Sequence, residues 1–211
     1  MSAKSSFCKR ILTISIRHLV AVCIIVWAIG LSIIASRFLS YELRAGAPGV
    51  AQDSWPRDNF VNQNETSATL IMAVHPQCPC TEASIYELNR LMTRCQGRLR
   101  TTALFIKPQT MPEAWARTKR FDAVNAIPGA HAEIDVDGAE CERFGMQTSG
   151  DIRLFDRAGK LLFSGGITEF RGHAGDNASF DAAVAAIESG APASVSTPVF
   201  GCPLKDDLVK P

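Results

Sequence analysis

Apolar positions in this chain change rhythm at about residue 67. Before that point stands one unbroken apolar run, LVAVCIIVWAIGLSIIA from Leu19 to Ala35, with no charge and no amphipathic stripe. Arg17 and Arg37 flank it, and at about 1.5 Å per residue that interval matches the hydrocarbon thickness of a bilayer. Beyond it, short apolar runs alternate with segments whose apolar residues recur at helical spacing. Strands are expected at 68–74, 99–106, 131–135, 151–156 and 160–165, and helices at 79–96, 112–126, 138–145 and 177–189. In the first of these helices Ile85, Leu88, Leu91, Met92 and Cys95 form the buried stripe, and Gly97 ends it. Arg157-Ala158-Gly159 joins the last two strands as a hairpin. Asn177 or Ser179 caps the last helix. This order implies an α/β fold with a mixed central sheet and helices on both faces.

The same pattern divides the chain into an N-terminus at 1–17, an anchor at 18–38, a linker and irregular lead-in at 39–66, and a globular domain with an irregular tail at 67–211. Lys4, Lys9, Arg10 and Arg17 precede the apolar run with no acidic residue among them. The positive-inside rule therefore places the N-terminus in the cytoplasm and the domain outside it. The run is longer than the apolar core of a signal peptide. The nearest small-x-small site, Ala45-Gly46-Ala47, lies well downstream, so an uncleaved signal-anchor is expected. Formal charge is +1, from 22 basic and 21 acidic residues. Five of the basic ones lie at or before Arg37, so the remainder holds 17 against 21, or about −4. No basic stripe with interleaved aromatics is present, which excludes nucleic acid as a partner.

Topology sets the redox context of the seven cysteines. Cys8 is on the cytoplasmic side and Cys23 is within the membrane. Cys78, Cys80, Cys95, Cys141 and Cys202 face a compartment in which disulfides persist. Five is odd, so at least one thiol is free, metal-bound or paired with another molecule. Cys78-Pro79-Cys80 lies where the first strand turns into the first helix of the domain. Pro79 suits the first helical position, which puts Cys78 at the N-cap and Cys80 inside the first turn. Free N–H groups there favour thiolate over thiol.

Three chemistries are open to this motif. In the redox reading Cys78 attacks and Cys80 resolves, and the small Cys-x-Cys ring makes an easily reduced, oxidising or isomerising couple. In the metal reading His75, Cys78 and Cys80 bind copper or zinc, with His173 or Cys202 as a fourth ligand. In the structural reading the pair is bonded elsewhere, for example Cys80 to Cys202. His75 either lowers the thiol pKa or ligates metal. His173 and Asp176, in the Gly-rich run Arg171-Gly172-His173-Ala174-Gly175-Asp176-Asn177, are candidates for proton transfer or ligand binding. Cys95 reads as a core thiol and Cys141 as a free one. Cys202 is open to a structural disulfide or a link back to the Cys78/Cys80 site.

Cysteines at the first strand–helix turn, in this element order, resemble the thioredoxin fold. The segment from Phe144 to Lys160 resembles the membrane-anchored TlpA branch, in which a "YGV", an "IPT" and a strand ending "D-x-x-G-K" follow in that order. HPQCPCTEAS, TSGDIRLFD, GGITEFRGHAGDN and PVFGCPL are more particularly similar to bacterial RedB proteins. The resemblance covers about residues 66–204 and departs from the pattern twice. Thioredoxins carry Cys-x-x-Cys, and the TlpA branch has a cis-proline where this chain has Gly150. What it implies is an extracytoplasmic thiol–disulfide oxidoreductase anchored in a bacterial inner membrane, with protein thiols and disulfides as partners and no organic cofactor. Cys78 and Cys80 would be catalytic, with His75, Pro79, Gly150 and His173 in support. Copper or zinc handling through His75, Cys78, Cys80 and Cys202 is the alternative. Others are a thiol peroxidase, whose usual threonine three residues before the cysteine is here His75, and a non-catalytic module.

Overall fold

In a computed structural model, residues 2–47, 49–57, 60–64, 66–192 and 196–205 are described, with side chains from Ile16 onward. The chain forms two compact units, 1–42 and 43–211. The first is a single helix, α1 (Ser2–Glu42). Its stretch Ile16–Glu42 is long and apolar enough to cross a membrane and is not buried against protein. Lys4, Cys8, Lys9 and Arg10 lie outside the described side chains.

In the second unit β1 (Ala68–Val74) is the axis of the sheet. It is apolar almost throughout because both of its faces are covered. Leu70, Met72 and Val74 belong to one core, Ile71 and Ala73 to the other. Thr81–Arg94 (α2) carries the chain to β2 (Leu99–Lys107), which pairs in parallel with β1. Two short helices, α3 (Glu113–Ala116) and α4 (Lys119–Asn125), lead to β3 (Ala130–Val136), parallel to β2. After α5 (Ala139–Arg143) come β4 (Ile152–Phe155), antiparallel to β1, and β5 (Leu161–Gly165), antiparallel to β4. The last helix is α6 (Ala178–Ser189). The sheet order β3-β2-β1-β4-β5 is mixed and thioredoxin-like, as the resemblance implied.

The larger core lies between the sheet and α2, α4 and α6, where Leu88, Leu91, Phe121, Phe180 and Ala183 meet Leu70, Met72 and Phe105. Burial of each large side chain here contributes about 1.5–3 kcal/mol. The smaller core on the opposite face joins Cys141, Phe144 and Met146 to Ile71, Leu104 and Leu204. Trp55 closes it, edge-on to Phe144 and Phe155 at 5.1 Å each. Among the described residues of 43–66 there is no helix and no strand longer than an isolated bridge, yet Trp55 holds this lead-in to the domain. Phe60, by contrast, is exposed.

Two expectations are corrected. The helix foreseen at 112–126 is broken at Arg117, whose ψ of 67° is not helical, and Thr118 restarts it from an extended conformation. The helix foreseen from 79 begins at Thr81 with Cys80 at its N-cap. Cys78 lies before the cap, in a turn where its N–H donates to the His75 carbonyl (3.0 Å) and its own carbonyl accepts from the Thr81 N–H (3.3 Å). The first i→i+4 bond at this end is the one the Ser84 N–H donates to the Cys80 carbonyl at 3.4 Å, and Cys78 takes part only in i→i+3 turns.

Candidate active site

Four segments converge at the carboxyl end of β1. The first is the turn 75–80. The second is Thr148-Ser149-Gly150, the approach to β4. Gly150 has φ +88° and its N–H donates to the Ala73 carbonyl at 2.8 Å. A Cβ there would lie 2.8 Å from Ser84 Oγ. Proline can neither adopt that φ nor supply that N–H, which explains why glycine stands where the TlpA pattern has proline. The third segment is the loop that carries Arg171, and the fourth is the tail, 196–205.

Cys78 and Cys80 are both buried, Cys78 to 1% exposure. Burial alone pushes the Cys78 thiol up. Hydrogen bonds from the Cys202 thiol and N–H, the Cys80 N–H and the Thr81 side chain outweigh it, and the pKa ends below the ordinary thiol range. Cys80 goes the other way: burial and the neighbouring charge of Cys78 raise it, against the favourable Arg171 guanidinium. Cys202 is pushed up to about 12, by burial and then by its hydrogen bond to Cys78 and the charge there. Of the three sulfurs, Cys78 is therefore the one whose thiolate is favoured, while Cys80 and Cys202 beside it favour the protonated form.

The surroundings are pinned by a polar chain. The His75 N–H donates to Ser149 Oγ at 2.9 Å, and Ser149 Oγ lies 3.0 Å from Thr81 Oγ1. The Thr81 hydroxyl in turn reaches Cys78. The His75 ring accepts from the Gln77 N–H through Nδ1 (3.2 Å) and packs edge-on to Trp115 at 5.6 Å. These contacts hold the turn that leads to Cys78. Pro79 is exposed at the tip of the turn and Gly150 lines the floor beneath α2.

His173 and Asp176 fall elsewhere. His173 stacks on Phe170 (ring centroids 4.2 Å apart) and lies 4.0 Å from Glu169. Asp176 pairs with Arg90 at 2.5 Å, and the Gly175 N–H donates to the buried Glu87 carboxylate at 2.7 Å. The residue that the Gly-rich loop brings to the sulfurs is Arg171, which also donates to the Gly201 carbonyl at 2.6 Å. Arg171, Ser149 and Thr81 were not singled out from the sequence; the loop was, for its histidine. Among the described residues no group of three or more His, Cys, Asp or Glu side chains is disposed to hold a metal ion. His75, Cys78, Cys80 and Cys202 are thus not a preformed ligand set. The six described cysteines are all free thiols, and Cys95 and Cys141 are buried.

No protein-family model and no curated protein matches this chain. Solved structures do. A hypothetical protein of Sinorhizobium meliloti superposes with a TM-score of 0.60 at 21% identity, over 77% of this chain and 98% of its own. An uncharacterized conserved protein of Geobacillus kaustophilus gives 0.55 at 20% identity, over 80% and 95%. A secreted disulfide oxidoreductase of Mycobacterium tuberculosis is a slighter likeness, with a TM-score of 0.42 at 12% identity over 59% and 82%. By its sheet order and helix placement, the part of the chain after the apolar helix is a thioredoxin-like domain.

Proposed function

We propose that this protein is a membrane-anchored thiol–disulfide oxidoreductase acting outside the cytoplasm on protein thiols and disulfides, with Cys78 as its reacting sulfur. The observation that carries the reading is the convergence of hydrogen-bond donors on the Cys78 sulfur. They stabilise the thiolate, which is the form that attacks a disulfide. The reaction needs a second thiol to release the partner from the mixed disulfide. The sequence assigns that step to Cys80, and Cys202 is the other thiol in reach. No organic cofactor is required. The resemblance to RedB proteins supports the same reading, as do the basic residues before the apolar helix and its length.

Exchange between the reduced full-length chain in detergent and a peptide carrying an internal disulfide tests this. Wild type and Cys95→Ser, which alters a thiol in the larger core, are expected to reduce the peptide. Cys78→Ser is expected to fall to the uncatalysed background. Unchanged exchange in Cys78→Ser would overturn the assignment.

A further inference from the structure

The tail after α6 is not a loose end. Thr197 N–H donates to the Ser164 carbonyl (3.1 Å), and the Gly166 N–H donates to the Pro198 carbonyl (3.3 Å). Further on, the Ser149 N–H donates to the Cys202 carbonyl (2.8 Å) and the Leu204 N–H to the Gln147 carbonyl (2.9 Å). Thr148 and Pro203 thereby form an antiparallel bridge. The fit is close enough that a Cβ on Gly201 would sit 1.9 Å from the Ser149 carbonyl oxygen. Leu204 is buried in the smaller core just beyond, which fixes the register of the strand. In that register Cys202 lies near Cys78, whose thiolate the Cys202 thiol and N–H favour.

We propose that the tail is a tethered partner strand in the active-site groove, and that Cys202, not Cys80, is the thiol that closes on Cys78. The inference rests on the thiol-exchange reading given above. Cys78 attacks one sulfur of a partner disulfide, that S–S bond breaks, and the leaving sulfur departs as a thiolate that takes up a proton. Cys202 then loses its proton to solvent and attacks the Cys78 sulfur. A Cys78–Cys202 bond forms and the partner's second sulfur leaves. Two electrons pass from the two cysteines to the partner disulfide, which ends as two thiols.

The geometry also times the second step. Negative charge on Cys78 is among the causes that keep Cys202 protonated. That charge vanishes once Cys78 is in a mixed disulfide, whereas the Arg171 guanidinium, which favours the Cys202 thiolate, stays in place. Cys80 is held differently: it is the N-cap of α2, fixed two residues after Cys78 in αR geometry. Cys202 instead sits on a tail segment paired in register with 147–149, and peeling of that segment would uncover the buried Cys78 for a partner.

The full-length chain in detergent, oxidised with glutathione disulfide, alkylated and cut with trypsin, gives a direct readout. Cys78 and Cys80 fall in the peptide 58–90 and Cys202 in 172–205. The expected product is a cross-link between these peptides that persists in Cys80→Ser and is lost in Cys78→Ser. Cys202→Ser is expected to accumulate the Cys78–glutathione mixed disulfide in place of the cross-link. A disulfide within 58–90, with Cys202 alkylated, would overturn the role given to Cys202 while leaving thiol exchange standing. Absence of any disulfide or glutathione adduct at Cys78 would overturn both.

Discussion

Cys78 and Cys141 are equally hidden, each 1% exposed, and sit in opposite electrostatic surroundings. Cys78 is ringed by donors: two N–H groups, a thiol and the Thr81 side chain. Cys141 lies on the other face of the sheet among acceptors. Burial pushes its thiol well up, and the carboxylates of Asp135, Asp151 and Glu140 push it further. The same side chain, hidden from solvent in both places, thus has its thiolate favoured in one and strongly disfavoured in the other. What decides between them is which polar groups the backbone aims at the sulfur.

The largest effect expected from disturbing this contrast is on the Cys141 side. Asp151 is buried and paired with Arg153, whose guanidinium also donates to the carbonyls of Phe144 (3.2 Å), Gly145 (2.7 Å) and Ile152 (2.9 Å). Burial raises the Asp151 carboxyl, and the guanidinium opposes that rise. Arg153→Met strands a buried carboxylate and three carbonyls, a loss of about 3–5 kcal/mol. Urea unfolding checks it. The double variant Arg153→Met/Asp151→Leu is expected to recover part of the loss, and a single variant as stable as wild type would contradict the pairing.

A smaller effect tests the donor side. Thr81→Val keeps the shape of the side chain and removes one donor to Cys78. A hydrogen bond to a charged group favours that charged form, so the Cys78 pKa is expected to rise. Iodoacetamide alkylation against pH, read on the 58–90 peptide, measures it. Folding lowers the Cys78 pKa. Its thiolate therefore stabilises the fold above the pKa of an unfolded thiol, and that contribution fades as pH falls through the folded value. In Thr81→Val that contribution is smaller, and its loss is complete at a higher pH. Cys141, by contrast, is expected to stay unalkylated in the native state across the same range.

Much of the frame was legible in the sequence and much of the site was not, for physical reasons. Strand 68–74 and the stripe Ile85-Leu88-Leu91-Met92 were readable because burial imposes a period on local sequence. Asn177 as the cap of α6 was readable because a cap is also local, its Oδ1 accepting from the Phe180 N–H at 2.8 Å. The break at Arg117–Thr118 carries neither glycine nor proline, so nothing nearby announced it. The ring of groups around Cys78 comes from segments far apart in the chain. Thr81, Ser149, Arg171 and Cys202 meet only because β1 lies beside β4 and the tail runs along 147–149. No spacing within a segment encodes such a meeting.

The smallest expected effect concerns the residue that local composition favoured. A histidine in a Gly-rich loop near a thiol motif is a natural candidate for proton transfer, yet the fold turns His173 onto Phe170 and toward Glu169. Arg171, two residues earlier, is the loop's contribution to the sulfurs. His173→Ala is therefore expected to leave the alkylation midpoint of Cys78 and the rate of peptide-disulfide reduction at wild-type values. Arg171→Gln, which removes the cation that favours thiolate at Cys80 and Cys202, is the informative control. It is expected to slow the release of the mixed disulfide while the first attack by Cys78 proceeds. A shift of the Cys78 midpoint in His173→Ala would place the imidazole near the thiolate and reverse the assignment of roles within this loop.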